Sequence, residues 1–235
     1  PIEYIDRLTI MYCFFRLLAI VLILSCANNF ALACPFCRPV KTTFTEDINA
    51  ADVAVLGELV DRPKRPDSSE GELPAADIID SYKTKFRIKK IYKGDKRVRT
   101  GDEIVAIYTG DAPVGAQCLL RGIGKEDLQW APPVPLGQRA QAYVEQVLKL
   151  PASGADRLIF FENYLEDKDP VLQGDAFDEF ARADYQALKD IRDEIDHERL
   201  LTWIKNPDVT PSNRRLYFTM LSVCGKPQDL EFLQE

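Results

Sequence analysis

Apolar residues dominate Val53 to Val60, just after the polar stretch Thr45-Glu46-Asp47. A short apolar run of this length predicts a β-strand. From Tyr82 to Lys93 the pattern becomes alternation, with Lys83, Lys85, Arg87 and Lys89 on one face and Tyr82, Thr84, Phe86 and Ile88 on the other. Period two belongs to a strand with one solvated face. The phase slips at Lys90-Ile91, which predicts a β-bulge. Glu103 to Tyr108 and Gln117 to Gly122 supply two more strands. Between the first two strands lies residues 61–80, rich in Pro, Ser, Glu and Asp; it carries too little apolar surface to order itself and predicts a mobile insertion.

Past residue 136 the pattern is helical, and start signals recur: Asp169-Pro170, Asp184, Asp196, Thr210-Pro211 and Lys226-Pro227. Each sets a capping residue or an N1 proline ahead of an amphipathic run. The runs after Pro170 and Pro211 repeat in register, pairing Ala176 with Tyr217, Phe177 with Phe218, and Phe180 with Leu221. Helix pairs repeating at roughly 40–47 residues are the signature of a HEAT-like array. Phe160, Phe161, Phe177, Phe180, Trp130 and Trp203 fall at helical spacing or at module edges, so they are expected in the core. Ala131-Pro132-Pro133-Val134-Pro135 reads as a stiff linker between the two parts. The expected fold is therefore α+β and multidomain: an antiparallel, OB-like β-barrel over residues 34–130, followed by an all-α, HEAT-like array over 136–235. The last run, Asp229 to Glu235, has no following helix to cover Leu230 and Leu233, so a longer parent chain is expected.

The N-terminus changes where this fold is expected to work. Residues 1–10 read as an upstream extension. From Met11 the order is cationic (Arg16), apolar from Leu17 to Cys26, polar at Asn28 and Asn29, then Ala31-Leu32-Ala33. That is the order of a signal peptide, here residues 11–33, with cleavage expected after Ala33 and export to the periplasm, cell envelope or exterior. The apolar run is shorter than the roughly 20 residues of a membrane helix. Membrane attachment is expected only through this segment, if it is retained or lipidated.

Export governs the reading of the cysteines. The chain has six, of which Cys13 and Cys26 leave with the signal. Cys34, Cys37, Cys118 and Cys224 remain as disulfide candidates with three possible pairings. Cys34-Pro35-Phe36-Cys37 has the spacing of a reversible dithiol. Thioredoxin-type sites place that pair after a strand, whereas here only a signal segment precedes it, so structural bridging is the expectation. Arg38 stands where a haem-attachment motif needs His.

Charge and composition then narrow the chemistry. A formal net charge of -7 argues against wholesale nucleic-acid binding. With a single histidine, His197, neither a His-x-x-x-His zinc site nor a three-His centre can form. No metal or cofactor is expected. His197 reads as a surface residue near a helix cap, the acidic run from Glu162 to Asp169 as a solvated turn, and Ser153, Ser212 and Ser222 as cap or helix residues. No catalytic residue is assigned. The cationic stripe of Lys83, Lys85, Arg87 and Lys89, with Lys93, Lys96, Arg97 and Arg99 close behind, is the remaining feature. It reads either as a docking face for an anionic partner or as a solvated strand face protected from edge pairing.

Two resemblances sit on these residues. The stretch from Cys34 to Cys118 resembles the netrin-like OB-fold of the tissue inhibitors of metalloproteinases. The residues that carry it are the N-terminal cysteine pair, Asn49-Ala50-Ala51-Asp52-Val53-Ala54-Val55-Leu56-Gly57, Ile91-Tyr92-Lys93-Gly94-Asp95 and Gly101-Asp102-Glu103-Ile104-Val105. In that family the first cysteine's amine and carbonyl cap a protease's zinc, a role that the resemblance would give to Cys34. Those inhibitors have Cys-x-Cys where this chain has Cys-x-x-Cys, and they carry more cysteines. Residues 11–235 also resemble a family of exported planctomycete proteins of unknown function, through the Ala-Cys-Pro-Phe-Cys start, Gly154-Ala155-Asp156-Arg157-Leu158, Phe160-Phe161, and the segment from Arg214-Arg215-Leu216-Tyr217 to Cys224-Gly225. The expected function is a non-catalytic binding or scaffold protein of the cell envelope, whose partner is another envelope protein or an anionic surface or glycan. A metalloprotease inhibitor acting through Cys34, and a thiol oxidoreductase using Cys34 and Cys37, are the alternatives.

Overall fold

A computed structural model describes residues 39–63 and 75–232. The signal segment, Cys34, Cys37 and most of the expected insertion lie outside the described residues.

The chain enters through helix α1 (Phe44–Ala50). Thr43 and Glu46 form its capping box: the Thr43 hydroxyl accepts the Glu46 N–H at 3.3 Å, and the Glu46 carboxylate accepts the Thr43 N–H at 3.1 Å. Four strands follow: β1 (Val53–Asp61), β2 (Lys83–Lys93), β3 (Glu103–Ile107) and β4 (Gln117–Ile123). Two short ones, β5 (Gln129–Trp130) and β6 (Val134–Pro135), complete the sheet. All pairings are antiparallel, in the order β3-β2-β1-β4-β5, with β6 also pairing to β4. β3 comes back alongside β5, so the sheet curls into a nearly closed barrel.

Two segments expected as irregular chain carry structure. Ala75–Asp80, the end of the expected insertion, is a short helix, α2. Val134 and Pro135, at the end of the expected linker, pair with Leu119 and Cys118 of β4.

Curvature comes from the expected slip in β2. Leu56 pairs with Lys90 but Gly57 pairs with Ile88, leaving Lys89 as an extra residue, and a second slip isolates Tyr92. Such bulges bend and twist a strand, which is how a sheet is made to close. At the same place Gly57 keeps the barrel interior open: a Cβ there would lie 2.4 Å from a Leu120 methyl and 3.3 Å from Phe86 Cβ. At the end of β2, Gly94 adopts φ 87, a left-handed conformation that suits glycine.

The helical part comprises α3 (Gln138–Val147), α4 (Ala155–Glu162), α5 (Pro170–Arg182), α6 (Tyr185–Asp190), α7 (His197–Lys205), α8 (Pro211–Cys224) and α9 (Asp229–Phe232). Four of the five start signals read from the sequence act as expected, while after Lys226-Pro227 the helix begins only at Asp229. Asp169 accepts the Val171 N–H, Asp184 that of Ala187, Asp196 that of Arg199 and Thr210 that of Asn213. α4 packs on α5, and α7 on α8.

β1 explains how the barrel and helices join. Val53, Val55 and Leu59 point into the barrel with Phe86, Ile88, Ala106, Cys118 and Leu120. Ala54 and Leu56 point the other way and join Leu119, Phe44, Ile48 and the helices in a second core. A strand covered on both faces reads as a near-continuous apolar run, as this one does. Residues from Pro39 onward form one compact unit.

Candidate functional site

The outer face of β2 presents the expected stripe. Lys83, Lys85, Arg87 and Lys89 are all exposed, while Thr84, Phe86 and Ile88 between them are buried. Acidic residues on neighbouring strands and on α2 answer most of these charges. Arg87 bonds Glu103 of β3 at 2.8 Å, Lys89 bonds Glu58 of β1 at 2.8 Å, and Lys83 pairs with Asp80 at 2.7 Å. These contacts hold the Glu58 and Glu103 carboxyls below their ordinary range, with the hydrogen-bonded cation the main cause in each case. Lys85 has no ion pair among the described residues. It stands in register between Asp61 of β1 and Val105 of β3. Val105 and Ile107 are uncovered on that side, 48% and 39% exposed. The surface is thus a ribbon of charge pairs in which Lys85, without an ion pair among the described residues, lies beside two bare aliphatic side chains.

A second polar constellation lies where α1 meets the helices, and the sequence reading missed it. On α5, Asp175, Asp178 and Glu179 occupy one helical turn and are all buried. Asp175 accepts the Phe44 N–H at 2.7 Å and the Tyr143 hydroxyl at 2.8 Å. Asp178 accepts the Lys41 N–H at 3.1 Å. Glu179 takes a two-pronged grip from Arg157, at 3.1 and 2.6 Å, while Arg157 also donates to the Thr45 hydroxyl at 2.7 Å. The three carboxylates therefore hold residues 41–45 onto the helices. Above them opens a cleft of about 280 Å³ lined by Thr45, Glu46, Ser153, Gly154, Arg157 and Arg182. Its cations are already engaged: Arg182 bonds Glu46 at 3.1 Å and the Lys41 carbonyl at 3.0 Å. Acidic residues interleaved with Ala176, Phe177 and Phe180 carry no local sign of burial, because only donors from distant segments make it tolerable.

α1 also binds the barrel. Asp47 pairs with Arg121 of β4, and the Lys93 ammonium donates to the Asn49 carbonyl at 2.6 Å.

Other expectations change. Glu162 and Asp167, expected in a solvated turn, have buried side chains paired with Arg199 at 2.8 Å and with Arg139 at 2.8 Å. Glu166 accepts from Tyr217 and Asn213. Burial leaves these carboxylates no water, so each must find a donor within the fold. His197, expected at the surface, is 10% exposed, with its Nε2 2.8 Å from Asp229. The Asp229 carboxyl is held low, first by the Lys226 N–H and then by His197.

Cys118 and Cys224 are free thiols among the described residues, one in the barrel interior and the other at the end of α8. Burial pushes the Cys118 thiol up to about 11. Burial also raises Cys224, with Asp229 and Glu162 adding to it. A raised pKa disfavours the reactive thiolate. Iodoacetamide labelling at pH 8, mapped by peptide, is expected to modify Cys224 in the folded protein and Cys118 only after unfolding in guanidinium. Labelling of Cys118 under native conditions would contradict its burial in the barrel interior. Among the described residues no cluster of three His, Cys, Asp or Glu side chains is placed to hold a metal. No helix there is long and apolar enough to cross a membrane.

No known protein family, curated protein or solved structure matches the chain.

Proposed function

We propose that this chain is an exported, non-catalytic binding or scaffold protein of the cell envelope, docking an anionic partner, an envelope protein, surface or glycan, through the outer face of β2 and β3. The observation that carries the reading is the single exposed face holding Lys83, Lys85, Arg87 and Lys89, with Lys85 unpaired among the described residues beside Val105 and Ile107. Cross-strand carboxylates tether Arg87 and Lys89, and Asp80 tethers Lys83, so a partner meets a partly preorganised surface and forfeits less side-chain entropy on binding.

Strand order supports an OB-like barrel, a frequent binding scaffold. So does β3 lying beside β5. For a HEAT-like array the support is the pairing of α4 with α5 and of α7 with α8. Two of the three register matches are buried on both sides, Ala176 with Tyr217 and Phe180 with Leu221; in the third, Phe177 is buried and Phe218 is 42% exposed.

Retention on a carboxymethyl matrix at pH 7 tests the docking face. A chain with net charge -7 should be held only by a local basic patch, and should elute well below about 0.3 M salt as screening shortens its reach. The triple variant K85E/R87E/K89E is expected to pass straight through. Failure of the wild-type protein to bind at low salt, or equal retention of the variant, would remove this face as the docking surface.

A further inference from the structure

The carboxylate turn of α5 has a property separate from docking. Asp175, Asp178 and Glu179 are like charges spaced i, i+3, i+4, and each is at least nine-tenths buried. Groups from α1, α3, α4 and α5 itself surround Asp175. From α1 comes the Phe44 N–H, and from α3 the Tyr143 hydroxyl. α4 contributes Arg157, whose guanidinium is bound to Glu179, and beyond α4 Tyr164 packs edge-on against Tyr143 with ring centroids 4.7 Å apart. α5 itself adds the charges of Asp178 and Glu179. Both hydrogen-bonding partners of Asp175 are thus neutral, while its two charged neighbours on α5 repel it.

We propose that Asp175 is a proton switch: it takes up a proton from mildly acidic solution, and that proton tightens the grip of the helices on α1, the helix that also binds the barrel. A neutral carboxyl keeps one oxygen as acceptor for the Phe44 N–H and turns the other, now protonated, towards the Tyr143 oxygen. The bond between the two side chains reverses, Tyr143 gives up its donation to Asp175, and Asp175 itself no longer carries a buried charge. Burial, with Glu179 and Asp178 adding to it, outweighs the hydrogen bonds from Phe44 and Tyr143, which favour the charged form, and raises Asp175 to about 6 from the ordinary 3.8. The sign follows from linkage: because the folded group binds its proton more tightly than the unfolded one, its contribution is complete below about pH 3.8 and is lost as pH rises through about 6. Acid therefore closes this joint, and neutral pH loosens it.

The test uses the whole chain in two measurements. Carbon-13 titration of the Asp175 side-chain carboxyl should give a midpoint near 6; a midpoint near 4 overturns the proposal whatever the variants do. Hydrogen exchange of the α1 amides, corrected for intrinsic rate, should be slower at pH 5 than at pH 7.5 by on the order of tenfold or more, since each unit of pKa shift is a factor of ten. In D175N the amide oxygen still accepts from Phe44 and nothing ionises, so this pH dependence should vanish. If D175N keeps the wild-type pH dependence, Asp175 is not the switch. If D175N does not fold, the wild-type titration decides alone.

Discussion

Arg157→Ala is expected to destabilise the protein by about 3–5 kcal/mol, the usual result of leaving a buried carboxylate without its partner. Arg157 is 7% exposed and ties three elements together: Glu179 of α5, the Thr45 hydroxyl of α1 and the Pro151 carbonyl ahead of α4. Its guanidinium also lies 5.0 Å from the centroid of the Phe161 ring. Removing it strands Glu179 beside Asp175 and Asp178, so the loss is larger than that of the contacts alone. Urea unfolding measures it directly. The double variant R157M/E179L separates the penalty of an orphaned charge from the value of the pair. Replacing both charges by apolar groups of similar volume should recover most of the lost stability. A double variant as unstable as R157A would mean that packing around Arg157, rather than charge compensation, sets the cost.

Tyr143→Ala should be comparably severe, about 3–5 kcal/mol, as for other large aromatic truncations in cores. Tyr143 is 2% exposed and stands among Phe44, Phe160, Phe161 and Tyr164, with centroids between 4.7 and 6.3 Å away. It is also the hydroxyl donor to Asp175. Tyr143→Phe keeps the ring and removes only the donor, so it should cost about 1–2 kcal/mol. The gap between the two variants in urea unfolding measures the aromatic packing. Equal losses would place the energy in the hydrogen bond instead.

Much of the architecture was legible because local signals and burial agree. β1 begins where the apolar run begins, at Val53, and β4 begins at Gln117, just ahead of Cys118, Leu119 and Leu120. The alternation of β2 marks its buried side correctly down to the slip at Lys90. Asp169, Asp184, Asp196 and Thr210 act locally, within three residues, so a capping signal needs no knowledge of the rest of the fold. What escaped was α1 and the site it builds. Phe44–Ala50 is short and largely polar, and its one clear sign, Thr43 three residues before Glu46, is the capping box now seen in place. Asp175, Asp178, Glu179, Glu162 and Asp167 were illegible for another reason. Single-residue polarity says exposed, and only the long-range donors, such as Phe44 N–H for Asp175 and Arg199 for Glu162, make burial tolerable. The basic stripe was seen as positions. Its neutralising partners Glu58 and Glu103 sit on other strands and emerge only from the register.

β1 is one wall shared by two interiors, with Val53, Val55 and Leu59 facing one and Ala54 and Leu56 the other. Neither half of the molecule owns a finished surface on that side. The barrel without its helices would offer Ala54, Leu56 and Leu119 to water, and the helices without the barrel would lose the face that covers Phe44 and Ile48. The two halves are thus poor candidates for exchange with unrelated partners in evolution or engineering. Drift along β1 has to satisfy both interiors at once, so successive residues of this strand, not alternate ones, carry the inheritance of the fold.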